Sequence, residues 1–136
     1  MPEVRFNPRY AISPVRNPDP AWLCDLILDP FRPGREFGEA TIVFSDSGRT
    51  IDMILIADRT LGYYLKYDAG GEEWLSLGDA SRLSEVVCPD DWQASAGLFI
   101  PPEQAWLAIR EFCQTGTRSH AIRWISPVEL PEDGNW

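Results

Sequence analysis

The 136-residue chain reads as an α+β protein. It should form an antiparallel meander sheet of five or more strands, with an amphipathic C-terminal helix and a second, N-terminal helix packed on it. Three observations predict this. Between residues 40 and 77, four runs of strand-forming residues are separated only by short turn sequences. Connections this short join antiparallel neighbours, because a parallel pair needs a long crossover. Residues 101–116 carry the start signal, apolar stripe and stop signal of one helix. Finally, 44% hydrophobic content with six tryptophans excludes disorder. A chain of this length is expected to fold as one domain, residues 1–136, with no need of a disulfide or metal.

Taken in order, residues 3–12 (EVRFNPRYAI) contain strand-forming types, but Pro8 restricts them to an edge strand or an extended arm. In SPVRNPDPAWLCDLILDP, Asn17 or Asp19 caps a helix whose first position is the following proline. Trp22, Leu23, Leu26 and Ile27 then share a face, and Pro30 and Pro33 end the helix. A buried strand from Trp22 to Leu28 is the alternative, since a short apolar run fits both. Ala40 to Ser45 and Thr50 to Ala57 flank Asp46, Ser47 and Gly48, residue types that turns use. Leu61 to Asp68 is the third strand, closed by Ala69, Gly70 and Gly71, and Glu73 to Leu77 is the fourth.

Residues 78–96 are the least regular part. Glu85 to Cys88 suits a brief strand, and Pro89, Asp90 and Asp91 make a turn before Trp92. The C-terminal helix should begin at Pro102, where a missing N–H costs nothing, with Glu103 at the positive end of its dipole. Ala105, Trp106, Ile109, Phe112 and Cys113 form its apolar stripe, and Gly116 closes it in the left-handed conformation. His120 to Ile125 alternates, with Ala121, Arg123 and Ile125 on one face and Ile122 and Trp124 on the other, as a strand returning to the same sheet.

Twenty-one acidic residues against twelve basic ones, eleven of them arginine, give a formal charge of −9. That opposes binding to phosphate backbones and suits a basic protein partner. Cys24, Cys88 and Cys113 are an odd set without CxxC spacing, so buried, reduced thiols are expected. The N-terminus MPEVRFNPRY lacks the basic and apolar segments of a signal peptide, and no long apolar stretch is present. The expected location is the cytoplasm, without membrane association.

No constellation supports an enzyme. The single histidine, His120, has no second ligand at metal-binding spacing, and the glycine-rich turns lack a phosphate-cradling frame. Cys113 paired with His120 would need a thiol that the helix stripe buries. Adjacent acids such as Glu72 and Glu73, or Asp90 and Asp91, point different ways. No cofactor or metal is therefore expected. The acids beside tryptophan are more informative. Trp74 follows Glu72 and Glu73, and Trp92 follows Asp90 and Asp91, a composition suited to a partner presenting arginine or lysine. The competing reading is that both tryptophans are core residues with acids outside them.

The succession GYYLKYD, GGEEWLSLG and GLFIPPEQAWLAIREFCQTGTRSHAIRW, within Thr41 to Trp124, resembles the first-numbered immunity protein family of bacterial polymorphic toxin systems. The GxFIP start, the helix ending in EFCQTG and the closing RW are its most specific parts. The resemblance implies a small cytoplasmic α+β protein that binds a toxin domain and blocks its active site. It also implies a partner that is often a nucleic-acid deaminase, including zinc-dependent cytosine deaminases acting on DNA. Such a toxin must admit a nucleic acid, so its surface should be basic, in agreement with the acidic charge read above. The resemblance carries over no contact residues. The local reading assigns toxin contact to Glu72, Glu73, Trp74, Asp79, Asp90, Asp91 and Trp92. The alternative function is a non-catalytic adaptor domain unrelated to a toxin.

Overall fold

The alternating segments assemble into one seven-stranded antiparallel sheet in a computed structural model, which describes residues 2–9, 13–89, 93–134 and 136. In chain order the elements are β1 (Glu3–Pro8), β2 (Val15–Arg16), α1 (Pro20–Leu28), β3 (Glu39–Asp46), β4 (Arg49–Asp58) and β5 (Gly62–Ala69). They continue with β6 (Glu72–Leu77), β7 (Val86–Val87), β8 (Ala94–Ser95), α2 (Pro102–Thr115) and β9 (Arg123–Ile125). The sheet order is β2-β1-β3-β4-β5-β6-β9, and β7 pairs with β8 apart from it.

The meander from β3 to β6 follows from its turns. Ser47 and Gly48 both have positive φ, 52° and 78°, and so do Gly70 and Gly71, at 64° and 98°. Two such residues make the tight hairpin turn whose twist matches the flanking strands. Between β4 and β5, the Asp58 carboxylate accepts the Thr60 and Leu61 amides at 2.8 and 2.9 Å and so holds a three-residue loop. At the two tight turns the strands reach one residue beyond the boundaries read from the sequence, because pairing extends to the turn itself, whereas β5 begins one residue later, at Gly62.

Both helices cover one face. Pro20 opens α1, and the Asp19 side chain accepts the Trp22 N–H at 3.1 Å, so Asp19 is the cap. Leu23, Leu26 and Ile27 are buried, and the strand alternative for this segment is not adopted. Helix α2 starts at Pro102 and closes at Gly116, whose φ is 72°. Its buried residues are Ala105, Ala108, Ile109 and Phe112, while Trp106 and Cys113 lie at the margin. The helices pack on Phe6, Ile42, Phe44, Met53, Leu55 and Leu65. Two buried tyrosines tie the sheet to the helix ends: Tyr63 donates to the Ile27 carbonyl at 2.8 Å and Tyr67 to the Gly116 carbonyl at 3.2 Å.

Part of the other face is covered by a strap formed by residues 78–89 and 93–100. Its Leu83, Ala94, Leu98 and Phe99 pack on Ile56, Tyr64, Leu75 and Ile125 of the sheet. Ser76 fastens it, donating to the Leu98 carbonyl at 2.7 Å while accepting the Leu65 N–H at 2.9 Å. Residues 63 and 100 exchange backbone hydrogen bonds at 2.8 Å, and a methyl group at Gly62 would collide with the Ile100 carbonyl. Among the described residues, no element covers this face over β1, β3, the start of β4 and the end of β5.

Three expectations are corrected. β1 is not an edge strand, since it pairs with β3 on one side and with β2 through Arg5 and Phe6 on the other. Pro8 is tolerated because it is the last residue of the strand, where pairing ends. The closing strand spans only Arg123–Ile125, because the Ser119 hydroxyl accepts the Ala121 N–H at 3.0 Å and holds the preceding residues in a turn. The three cysteines are free, but Cys88 is exposed and Cys24 and Cys113 are only partly buried.

Candidate functional site

Of the residues singled out for partner contact, Asp90, Asp91 and Trp92 lie outside the described residues. The other four lie on β6 and the turn after it, and strand alternation divides them. Trp74 stands opposite Tyr67 on the helix-covered side and packs against the main core. Its indole N–H donates to the Glu72 carboxylate at 3.1 Å. The Arg118 guanidinium lies 4.0 Å from the ring centroid. The ring expected to receive a partner's cation thus already holds one from the loop after α2, in a cation–π arrangement.

Glu73 points to the opposite face. It pairs in register with Asp68 and forms an ion pair with Lys66 at 2.9 Å. Asp79 lies past the far end of β6, roughly 20 Å from Glu72 at a strand's rise of about 3.3 Å per residue. There it caps a short 3-10 turn, accepting the Ser81 hydroxyl at 2.6 Å and the Ser81 N–H at 3.0 Å. These bonds hold its carboxyl below the usual range, the side-chain bond contributing most. The structure therefore gathers Glu72, Glu73 and Trp74 at one strand end and leaves Asp79 apart.

Around Glu73 it also gathers residues that the sequence reading passed over. Asp52 of β4 is the direct partner of Asp68 of β5, and Asp68 is the direct partner of Glu73. The row continues through Val43 of β3 to Arg5 of β1. Side chains directly opposite on one face sit about 5 Å apart at Cβ, where like charges repel. Asp52 makes no hydrogen bond or ion pair among the described residues, and burial first, then Asp68, raises its pKa. Among the described residues, Asp68 accepts only a turn amide, that of Gly71 at 2.9 Å. The turn residues contained a signal for this row, since counting outward from Ser47-Gly48 and Gly70-Gly71 gives two of its four registers, Val43 with Asp52 and Asp68 with Glu73.

Other carboxylates of the chain are matched by arginine. Glu3 pairs with Arg5 and Arg16, Asp25 with Arg32 and Arg35, Glu36 with Arg59, and Glu39 with Arg9. Glu3 and Asp25 are correspondingly held below the usual carboxylate range, chiefly by hydrogen bonds from Arg5 and Arg32 respectively.

Burial pushes the Cys113 thiol up to about 12, the reverse of what a reactive thiolate needs. Cys113 lines a groove with Trp106 and Arg110, whereas His120 lines a different one with Gln104 and Arg123. Among the described residues, no group of three or more His, Cys, Asp or Glu side chains could hold a metal ion, and no helix is long and apolar enough to cross a membrane.

An antiparallel sheet with both helices on one face and a carboxylate row on the open part of the other defines a class. It is that of small α+β proteins whose distinctive chemistry lies on a sheet surface. Within that class, the sequence model of the family described as Immunity protein Imm1 matches residues 13–126, and the chain belongs to that family. The match spans β2 through β9. It makes the protein an immunity protein, which implies a cognate toxin as partner. No curated protein sequence matches the chain.

Proposed function

We propose that this protein binds the toxin domain of a bacterial polymorphic toxin system in the cytoplasm of the producing cell and occludes the toxin's active site, with no catalytic residue of its own. The observation that carries this reading is the family match across residues 13–126. The toxin in closest keeping with the chain's chemistry is a nucleic-acid deaminase, and most specifically a zinc-dependent DNA cytosine deaminase. An enzyme that admits a polyanion presents a basic surface, and the charge of −9 is its complement. The contact set includes Glu72, Glu73, Trp74, Asp79, Asp90, Asp91 and Trp92. Exposed Glu72 and Asp79 and half-exposed Glu73 support a steering role for these charges.

Co-purification with the toxin domain encoded by the neighbouring gene, followed by a cytosine deamination assay with and without this chain, tests the reading. A tight complex with deamination abolished is expected. Binding without any deamination by the free toxin would replace the toxin's chemistry, and no binding would overturn the reading.

A further inference from the structure

The carboxylate row on the open face is costly to the free chain. Asp52, Asp68 and Glu73 are direct neighbours across three strands, and Lys66, paired with Glu73 at 2.9 Å, is the cation beside them. Like charges directly opposite on a sheet are unfavourable, and among the described residues only the Lys66 ion pair of Glu73 and the Gly71 amide at Asp68 offset them. The three do not converge closely enough to ligate a metal ion. A cation that answers them must be extended, and a guanidinium, with five N–H donors in one plane, can reach two neighbouring carboxylates where an ammonium presents a single point.

A second observation lies four residues along β5 from Asp68, where Tyr64 stands in register with Ile56. Tyr64 is on the same face, with its ring buried to 1% exposure and edge-on to Phe99 of the strap at 6.1 Å. Among the described residues, its hydroxyl has no hydrogen-bond partner. It lies close enough to Glu73 for that charge to add to burial in raising its pKa. The two other buried tyrosines on this strand, Tyr63 and Tyr67, both end on a carbonyl, so the empty hydroxyl is particular to this face. A buried hydroxyl without a partner costs stability, as the carboxylate row does.

We propose that the open half of this face, with Asp52, Asp68 and Glu73 over a floor of Val43 and Ile54, is the surface that receives the toxin, and that it does so by accepting an arginine guanidinium from it. The inference rests on the immunity reading and deepens it. The incoming arginine takes over from Lys66 as counter-ion, and Glu73, released from Lys66, accepts the Tyr64 hydroxyl. Tyr64 is thus a positioning residue for Glu73. The occupant is not a second copy of this chain, because a two-fold contact through this face would set acid against acid.

The test measures affinity for the toxin domain encoded beside this chain, together with the melting temperature of each free variant. Asp52→Asn with Asp68→Asn should weaken binding by about 100-fold and flatten the salt dependence of the association rate. Its melting temperature should not fall. Tyr64→Phe should weaken binding by about 10-fold, again without loss of melting temperature, whereas a merely structural tyrosine would lose stability. Asp25→Asn, on the arginine-paired side, should bind as the wild type does. If the double variant binds as tightly as a wild-type chain that still inhibits the toxin, this face is wrong and the immunity reading stands. If the wild-type chain does not bind, both fall. A drop in melting temperature for the double variant or for Tyr64→Phe would show these groups to be structural and overturn the proposal.

Discussion

The two faces of the sheet are finished to different degrees. On the helix-covered face, successive inward positions are Phe6, Ile42, Phe44, Met53, Leu55 and Leu65, all nearly or fully buried. The two tyrosine hydroxyls on that face are satisfied by carbonyls at the ends of the helices. The opposite face is covered at Ile56, Tyr64, Leu75 and Ile125 and open toward Asp52, Asp68 and Glu73, and among the described residues it retains an unpaired Asp52 and a buried hydroxyl on Tyr64 without a partner. The difference teaches that the groups holding the fold together and the charges left without partners among the described residues occupy different parts of the sheet. A substitution on the first face should be felt as unfolding, and one on the second as lost binding.

The strongest challenge to that contrast is Phe112→Ala. The side chain is fully buried between Phe44 and Tyr67, so its removal should cost about 3–5 kcal/mol of unfolding free energy in a denaturant titration. A loss below 1 kcal/mol would mean that the helix-covered face is not the seat of stability. Gly116→Ala comes next. The residue has φ of 72°, and a Cβ there would lie 2.6 Å from the Phe44 ring, so a loss of about 1–3 kcal/mol is expected by the same titration.

A matched pair of hydroxyl deletions sharpens the comparison further. Tyr67→Phe removes a hydrogen bond and leaves the Gly116 carbonyl short of a donor, so it should cost about 1 kcal/mol. Tyr64→Phe removes a hydroxyl that has no partner, so the free chain should be unchanged or slightly more stable. Equal losses in the two thermal melts would erase the distinction between the faces.

The smallest effects concern pH and have opposite signs on the two sides. Asp52 holds its proton more tightly folded than unfolded, because burial and Asp68 disfavour its charge. Its contribution to stability therefore falls as pH rises through its unfolded value, near 3.8, toward its higher folded value. Asp25 is shifted down by Arg32 and Arg35, so its contribution is present above its unfolded value and is lost as pH falls through the lower folded one. Melting temperatures across the acid range should show Asp52→Asn gaining on wild type as pH rises, and Asp25→Asn losing on it. Parallel curves for both variants would remove the electrostatic difference between the two sides.

The elements with local punctuation were readable in advance. Helix α2 carries its start in Pro102, its stop in Gly116 and its burial in a stripe that the structure turns slightly, so that Ala108 is covered and Trp106 is marginal. The hairpins were readable from Asp46-Ser47-Gly48 and Gly70-Gly71, because a two-residue turn demands those residue types. β1 was misplaced because Pro8 argues for an edge only until it is known to end the strand. β2 is too short for any periodicity to announce it. At the candidate site, the sequence drew attention to the acids beside Trp74 but not to the division that strand alternation imposes on them. It missed Asp68, which the Gly70–Gly71 turn sets opposite Glu73, and Asp52, whose approach to Asp68 depends on the register across the β4–β5 loop.

The chain's own residues decided where helices and hairpins begin and end, its net charge and its family, since these depend on neighbours a few positions apart or on sums over the whole chain. Only the tertiary structure decided which charges meet. Arg118 reaches Trp74 from a loop 44 positions later, and three carboxylates from three strands become neighbours through their registers. The physical reason is that cross-strand pairing and loop return couple residues without regard to their distance along the chain. Caps, turns and periodicity act only within a few residues, so they settle the elements and leave the surface to be made by their assembly.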